Sequence, residues 1–272
     1  MKSRTCNSTF MLSLRLLILL GMLLSQAAMA GETGDGGRWT VDGQRWTANE
    51  QRTTNNHQQT TALCPETEFS RSINREFGTT ADGTTSLYNK YGKVNVKTWQ
   101  NNSVKIDITI VVRAKDQREA DRTFDRIKVN FLSTPGYVKA ETILEPTNDW
   151  FPNECGYEIN YEVWMPNANQ LDLKNKYGNS WVASMKGKLL AEIKYGELRT
   201  EAIQNDADLN ITNGKVWLAR ANNISGQISY GSLNVAAAND VQLDSKYSEI
   251  KVDQADNLRL TSKYDDFTFG NV

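Results

Sequence analysis

Histidine is almost absent from this sequence, and its scarcity removes several classes of catalytic site. The single histidine, His57, lies in a polar segment that is not predicted to fold. The folded part therefore has no histidine to act as the base beside a Ser or Cys nucleophile, and no imidazole ligand for zinc. No Gly-rich phosphate loop precedes a predicted helix. We therefore predict that the protein is not an enzyme and has no catalytic residue, no metal and no cofactor.

Cysteine is also scarce, with three residues in the whole chain. Cys6 belongs to the N-terminal leader, which leaves Cys64 and Cys155. Their spacing does not match a metal site. In an oxidising compartment we predict a disulfide between them, which would tie the start of the folded region to its middle. Two separate buried thiols are the alternative, because a sequence does not show whether the two Cα atoms are close enough to be bridged.

Long apolar runs are missing after the N-terminus. The first 30 residues carry three basic and no acidic residues, an apolar run over Leu16–Leu24, and a small-x-small cleavage site at residues 28–30. This pattern predicts a secretory signal peptide over residues 1–30, with an uncleaved anchor as the alternative. No later stretch is long or apolar enough to cross a bilayer, so we expect no membrane span after cleavage. The protein is then exported to the periplasm, the cell surface or the medium.

Positive charge is not in excess either. The chain has 31 basic and 32 acidic residues, and removal of the leader's three basic residues leaves 28 against 32, a net charge of −4. This balance gives no electrostatic basis for binding nucleic acid, so we predict no nucleic-acid partner.

A polar segment over residues 31–66 follows the leader. It is rich in Gly, Thr, Asn and Gln and contains almost no aliphatic residues. Such a segment buries too little apolar surface to offset the entropy lost on ordering. We therefore predict a disordered linker.

What the sequence does contain is an internal repeat over residues 167–272. Each unit is anchored on one residue, usually Tyr, and Gly follows the anchor in four of the six units. The anchors are Tyr177, Tyr195, Asn213, Tyr230, Tyr247 and Tyr264. Successive anchors are 18, 18, 17, 17 and 17 residues apart. A nearly constant period of this kind is typical of repeat architectures.

Apolar and polar residues alternate on both sides of each anchor, which predicts strands with one buried face. Asn and Asp pairs such as Asn222-Asn223 mark a second turn in each unit. The pattern fits a solenoid of stacked coils, and it also fits an antiparallel meander with Tyr-Gly hairpins. The even period favours the solenoid, because equivalent positions must stack. We predict a mainly β protein with a β-solenoid of about 17–18-residue coils.

Residues 67–166 are predicted to form a β-rich cap on the N-terminal end of the solenoid. The motif Asn89-Lys90-Tyr91-Gly92 repeats the anchor once inside this region. Alternation over Val104–Ile110 predicts a strand, and apolar residues at helical spacing predict one helix over about 116–127. A cap of this kind covers a sheet edge that would otherwise promote aggregation. No comparable segment covers the last coil, so we expect either a fragment or a contact with another subunit there.

The repeated tyrosines are the candidate binding residues. Stacked coils would align them along one edge of the solenoid. They are Tyr177, Tyr195, Tyr230, Tyr247 and Tyr264. A phenol ring combines an apolar body with a polar tip, which suits contacts with sugar rings or with a protein partner. The alternative is purely structural, with the rings packed at the corners and their hydroxyl groups in water.

The order of motifs resembles that of a known family. After the leader come Tyr-Gly-Lys-Val-Asn-Val at 91–96, a strand–helix–strand insert, Tyr-Glu-Val-Trp-Met-Pro at 161–166, and Leu-Asp-Leu-Lys-Asn-Lys-Tyr-Gly at 171–178. This order resembles the adhesin-like β-strand-repeat proteins of bacterial envelopes, especially those of Bacteroidetes, and the related adhesin head domains. The resemblance covers roughly residues 69–272. It implies a β-repeat fold with a structural or binding role and supplies no catalytic residues.

Two functions follow from these patterns. The first is an exported, non-enzymatic, adhesin-like envelope protein, whose partner would be a glycan or an envelope protein. The second is a carbohydrate-active enzyme on a β-solenoid scaffold, which needs at least two carboxylates that converge in a groove with shifted pKa values. The repeat aligns no column of acidic residues, and this favours the first function.

Overall fold

The computed structural model describes residues 67–146 and 156–271. The predicted signal peptide, the predicted linker with His57, and both Cys64 and Cys155 lie outside the described residues. The leader, the linker and the disulfide therefore stay predictions.

The described part of the chain forms strands and one helix. In chain order they are β1 (Glu68–Gly78), β2 (Thr84–Lys90), β3 (Val94–Trp99), β4 (Ser103–Arg113), α1 (Gln117–Arg126), β5 (Ile127–Thr134), β6 (Tyr137–Leu144), β7 (Tyr157–Pro166), β8 (Gln170–Lys176), β9 (Ser180–Val182), β10 (Leu189–Lys194), β11 (Glu197–Ala202), β12 (Ala207–Thr212), β13 (Lys215–Arg220), β14 (Asn223–Ser229), β15 (Ser232–Lys246), β16 (Glu249–Lys263) and β17 (Asp266–Asn271).

The strands stack into two parallel sheets that face each other across one core. We call them the front sheet, which contains β3, β9, β11 and β13, and the back sheet, which contains β2, β8, β10, β12 and β14. β15 and β16 are long enough to contribute to both sheets. Each coil runs up the back sheet, turns at the anchor residue and continues along the front sheet. This arrangement confirms the prediction of a β-solenoid.

The pairing of neighbouring coils excludes the antiparallel meander. β11 pairs with β13 in parallel, with Leu198 opposite Val216, and β10 pairs with β12 in parallel, with Leu189 opposite Ala207. A hairpin meander would pair such strands antiparallel. In this register, equivalent apolar positions of successive units lie in line and are fully buried. The alternating pattern of the sequence therefore corresponds to columns of side chains inside the coil stack.

The order of the coils in space differs from their order in the chain. β2 pairs on one side with β6 and on the other with β8, and β3 pairs likewise with β7 and β9. The first coil of the chain, β2 and β3, is therefore inserted between the coil formed by β6 and β7 and the coil formed by β8 and β9. The sequence predicts the repeat motif at Tyr91 but not this interleaving.

The N-terminal cap is built from antiparallel strands and the helix. β4 pairs with β7 and β1 beyond the front sheet, and β5 pairs with β6 beyond the back sheet. The carboxylate of Asp116 caps α1 by accepting a 2.8 Å hydrogen bond from the backbone N–H of Glu119. The helix buries Ala120 and Phe124 against β4, β1 and β5. The prediction of one helix ahead of the repeats is thus confirmed, whereas β2, β3, β6 and β7 within residues 67–166 pair as coils.

The corner after each back-sheet strand has a left-handed backbone. The seven anchor positions have φ values between 50° and 61°, and they are Tyr91, Tyr177, Tyr195, Asn213, Tyr230, Tyr247 and Tyr264. The backbone N–H of every anchor except Tyr264 bonds to the next coil, as in Tyr177 N–H to the Lys194 carbonyl at 2.9 Å and Tyr195 N–H to the Thr212 carbonyl at 3.1 Å. The corners therefore continue the hydrogen-bond ladder of the sheets.

Glycine follows the anchor because neighbouring corners approach closely. A Cβ atom on Gly214 would lie 2.9 Å from the carbonyl oxygen of Gly196. At Gly178 and Gly196 the overlap with the preceding corner would be greater still. The overlapping atoms are backbone, which is held by the coil-to-coil hydrogen bonds and moves little.

The last two corners replace this glycine with Ser248 and Asp265. The carboxylate of Asp265 accepts hydrogen bonds from the Ser248 N–H at 2.8 Å, the Lys263 N–H at 3.0 Å, and the hydroxyls of Ser245 and Ser262 at 2.9 and 2.7 Å. Burial alone would raise the pKa of Asp265, but these hydrogen bonds outweigh it and hold the pKa below its usual range. At this corner a charged side chain thus holds the backbone by hydrogen bonds, whereas in the earlier corners glycine occupies the same position.

Substitution of Gly196 by alanine is predicted to destabilise the solenoid. The added Cβ would overlap the carbonyl of Gly178, and relief requires a shift of two hydrogen-bonded coils. We expect a loss of about 1–3 kcal/mol in the free energy of unfolding, measured by urea denaturation. The matched control is Gly78→Ala, because no atom lies within 4 Å of a Cβ at Gly78. Equal stability of the two variants would contradict the close approach of the corners.

Substitution of Asp265 by asparagine is predicted to lower the free energy of unfolding by an amount that depends on pH. Charge-assisted hydrogen bonds are lost, so we expect a cost of about 1.5–3 kcal/mol at neutral pH. The folded pKa of Asp265 lies below the unfolded value. The carboxylate therefore stabilises the fold above the unfolded pKa, and this contribution disappears as pH falls through the folded pKa. Urea denaturation should show the parent and the variant converging in acid.

The control for this experiment is Asp266→Asn at the exposed neighbouring position. It should change the free energy of unfolding by less than about 1 kcal/mol at any pH. A constant difference between the parent and Asp265→Asn from neutral to acid pH would contradict the role of the Asp265 charge.

Candidate functional site: the tyrosine edge

The left-handed corners place the anchor side chains in one line on the outside of the solenoid. All five predicted tyrosines lie on this line, and Tyr91 from the inserted coil joins them. We call this set the tyrosine edge, and its members are Tyr91, Tyr177, Tyr195, Tyr230, Tyr247 and Tyr264. The sequence motif around Tyr91 carries the signal for its membership, but its position beside Tyr177 depends on the interleaved coil order.

Asn213 divides the tyrosine edge into two stacks. In the first stack the ring centroids of Tyr91 and Tyr177 are 5.0 Å apart, and those of Tyr177 and Tyr195 are 5.1 Å apart. In the second stack Tyr247 lies 5.1 Å from both Tyr230 and Tyr264. The ring planes are nearly parallel, with angles of 12° to 19°. The rings of each stack therefore cover one another's faces and present their edges and hydroxyl groups to solvent.

Exposure of the rings follows their position in the two stacks. Tyr177, inside the first stack, is 41% exposed, whereas Tyr195 and Tyr230 beside Asn213 are 51% and 53% exposed. Tyr264, at the far end, is 70% exposed. Tyr91 is the least exposed, because Tyr157 contacts it edge-on at 5.4 Å. Free ring faces thus occur at the ends of the stacks, including the two that face the Asn213 coil.

A row of lysines runs beside the tyrosine edge on the back sheet. Lys90, Lys176 and Lys194 lie next to one another in the strand register. The ammonium group of Lys176 lies 4.7 Å from the centre of the Tyr177 ring, a cation–π distance. Lys194 instead pairs with Glu192, and this ion pair holds the pKa of Glu192 below its usual range. One side of the edge is therefore predominantly basic.

A cavity of about 370 Å³ lies on the back sheet behind this lysine row. Tyr88 lines it, and the ammonium groups of Lys139 and Lys174 lie 4.3 and 4.6 Å from its ring centre. Burial raises the pKa of Tyr88, and its 2.6 Å hydrogen bond to Asp172 raises it further. The Tyr88 hydroxyl is therefore neutral and donates its proton to the hydrogen bond with Asp172. Tyr88 thus forms part of the cavity wall through its ring and does not act as an acid or a base.

An open groove of about 920 Å³ runs along the front sheet beside the second stack. Its walls are Tyr230, Tyr247 and Tyr264 on one side and Trp217 on the other, with Lys215 near one end. The guanidinium of Arg199 lies 4.3 Å from the centre of the Trp217 ring. Glu249 and Asp266 also line the groove, which thus combines aromatic walls with one basic and two acidic groups along several coils.

Sequence reasoning missed a row of large side chains on the outer face of the front sheet, two of which are tryptophans. Trp181, Arg199 and Trp217 lie side by side in the register of β9, β11 and β13. The signal was present, since each of them follows its anchor by four residues in three consecutive units. Alternation assigns this position to the solvent side of the strand, where large aromatic residues mark a binding surface more often than a core.

Five carboxyl groups in the described part of the chain have a shifted pKa. All five pKa values are shifted downward, by hydrogen bonds and ion pairs, and the groups are Asp107, Asp116, Glu158, Glu192 and Asp265. A general acid for glycoside cleavage needs a raised pKa. Residues 67–146 and 156–271 also contain no group of three or more His, Cys, Asp or Glu side chains that could hold a metal ion.

Comparison with solved structures finds similar chains among bacterial proteins named as candidate adhesins. A protein of this name from Bacteroides fragilis has 14% identity and a TM-score of 0.44, and the match covers 74% of this chain and 97% of that one. Another, from Parabacteroides distasonis, has 10% identity and a TM-score of 0.34, with 72% and 96% covered. A candidate lipid-binding protein from the same species has 11% identity and a TM-score of 0.36, with 74% and 96% covered.

The names of these proteins agree with the resemblance to adhesin-like proteins that the sequence indicates, and this resemblance is confirmed. No family model and no curated protein matches the chain. Within the described residues, no helix combines the length and apolar character that a bilayer crossing requires. At these identities the comparisons assign no activity of the similar proteins to this chain. The chain is similar to proteins of Bacteroidetes that are named as candidate adhesins.

Proposed function

We propose that this protein is an exported, non-enzymatic, adhesin-like β-solenoid of the bacterial cell envelope that binds a glycan or an envelope protein through the tyrosine edge. The observation that carries the proposal is the use of tyrosine at six corners with a left-handed backbone. The proposal assigns the binding contacts to these six rings and to the groove beside Trp217.

Tyrosine is a costly choice for these corners. A residue other than Gly in the left-handed region costs on the order of 1–3 kcal/mol unless its surroundings compensate. Asn tolerates this conformation better than most residues, and Asn213 adopts it with φ of 50° at the equivalent corner of the same solenoid. The corner itself therefore does not require tyrosine, and some other property of the rings accounts for their repetition.

Ring stacking accounts for part of this repetition but leaves much of the ring surface exposed. Each stacked pair contributes about 0.5–1.5 kcal/mol beyond the burial of its area. The rings nevertheless remain 37% to 70% exposed. Exposed aromatic residues that form a continuous surface are typical of binding sites. The tyrosine edge together with Trp217 offers both apolar ring surface and hydroxyl groups, which suits a ligand with alternating apolar and polar groups.

The enzymatic alternative finds less support. A carbohydrate-active enzyme needs one carboxyl held protonated near neutral pH beside an ionised one. The described carboxyl groups with shifted pKa values are held ionised instead. We therefore propose binding without turnover, and the leader pattern at residues 1–30 supports export of the protein.

The test is retention on glycans and envelope extracts, with analysis of products in the same mixtures. The protein is expressed with its own leader and compared with the double variant Tyr230→Asn and Tyr247→Asn. Asn keeps the left-handed corner, as Asn213 does, and removes the ring. We expect the parent to be retained without any shortened product, and the variant to bind about tenfold more weakly or worse, which corresponds to the loss of a binding hot spot.

The control variant is Leu132→Ala, which removes an exposed apolar side chain from β5, a strand of the cap. It should leave retention unchanged, and the thermal unfolding midpoints of all variants should show that they are folded. Unchanged retention of the tyrosine variant would reject the edge as the binding surface. Shortened glycan products that depend on this protein would reject the non-enzymatic role.

A further inference from the structure

The two tyrosine stacks are separated by a space in which one ring is missing. The Asn213 corner hydrogen-bonds to the coils on both sides, through Tyr195 N–H to the Thr212 carbonyl and Asn213 N–H to the Ser229 carbonyl. The Tyr195 and Tyr230 rings therefore flank the Asn213 coil directly. Because coils repeat at about 4.8 Å, the two ring centres are about 10 Å apart, twice the spacing of a stacked pair.

This space has the dimensions of one inserted ring. A ring placed midway would stand about 5 Å from each tyrosine, close to the 5.1 Å separation found within both stacks. The two faces that border the space belong to Tyr195 and Tyr230, which are more exposed than their neighbours Tyr177 and Tyr247. The arrangement leaves two aromatic faces opposite each other and free for a ligand.

The floor of the space is polar and carries the positive charge of Lys215. Glu197 lies next to Lys215 in the strand register, and its carboxylate is paired with Arg199 at 3.7 Å. Within the described residues, neither the side-chain amide of Asn213 nor the ammonium group of Lys215 has a hydrogen-bond or ion-pair partner. Both side chains are exposed, and both line the end of the front-sheet groove next to Tyr230. A ligand that enters the space therefore meets two ring faces at its sides, and an amide and an ammonium group below.

We propose that this space binds one ring of an acidic glycan. A pyranose ring has apolar C–H faces that can contact both tyrosines, and its hydroxyl groups can bond the amide of Asn213. A carboxylate on the sugar would pair with Lys215. A quaternary ammonium ligand is disfavoured by the same lysine, and an aromatic side chain of a partner would leave the amide and the ammonium group without partners.

Glu249 and Asp266 line the groove beside the second tyrosine stack, so we assign the acidic ring to the space itself and the groove is not part of this subsite. This inference rests on the proposed binding role of the tyrosine edge, and it adds one subsite and one chemical class of ligand. The subsite differs from the rest of the edge, because only here are two ring faces available rather than ring edges.

The test compares two substitutions of Asn213 that keep its backbone conformation. Asn213→Tyr fills the space with the ring found at every other anchor, and Asn213→Gly leaves the space open. The probes are a hexamer of galacturonate and a hexamer of glucose, with affinities measured by calorimetry. We expect the acidic hexamer to bind the parent more tightly than the neutral one, and Asn213→Tyr to weaken its binding about tenfold or more.

Asn213→Gly should bind the acidic hexamer more weakly than the parent, because the amide contact is lost, but more tightly than Asn213→Tyr, because the space stays open. Lys215→Met should remove the preference for the acidic hexamer over the neutral one. The thermal unfolding midpoint of Asn213→Tyr should be no lower than that of the parent, since tyrosine already occupies this corner in six other coils. Unaltered affinity in Asn213→Tyr, or no binding of the acidic hexamer to the parent, would overturn the inference. Either result would leave the proposed function to its own test with Tyr230→Asn and Tyr247→Asn.

Discussion

The hydrogen-bonded contact between one coil and the next is the constraint on which the rest of this structure depends. The backbone ladder runs through the strands and also through the corners, as the bond from Tyr195 N–H to the Thr212 carbonyl shows. It fixes the separation of equivalent atoms at about 4.8 Å. That separation excludes a Cβ at Gly178 and Gly196, and it sets the stacking distance of the tyrosines. Corner composition and surface geometry are thus consequences of a single repeat distance.

Departures from the repeat are concentrated at positions where side chains replace backbone contacts. Asp265 occupies a glycine position and is held by four hydrogen bonds, which also keep it ionised. At the other end, Asn175 donates a 3.1 Å hydrogen bond to the Gly92 carbonyl from inside the core. Buried polar groups of this kind are tolerated when they are paired, and here they join neighbouring coils.

Much of the fold and part of the candidate site could be predicted from the sequence. The spacing of the anchors predicts the coil length, and the alternation around them predicts the buried columns that contain Leu198 and Val216. The interleaving of β2 and β3 could not be predicted, because pairing between distant segments leaves no local pattern. Trp181 and Trp217 lie at the same offset from their anchors, which is visible in the sequence. Their role could be interpreted only after the structure had defined the outer face of each sheet. The space at Asn213 could be recognised only from the distance between the stacked rings, which the sequence does not give.

The interleaved coil has a consequence for how the chain folds after it is made. Coils that follow one another in the chain close short loops, whereas Thr84 must find Gln170, at a much greater separation along the chain. Loop-closure entropy and contact order both make such a contact slower to form. The coil formed by β2 and β3 can dock on both sides only after β8 has been synthesised. We therefore expect the contact of β2 with β8 to form later than the contacts between coils that are adjacent in the chain.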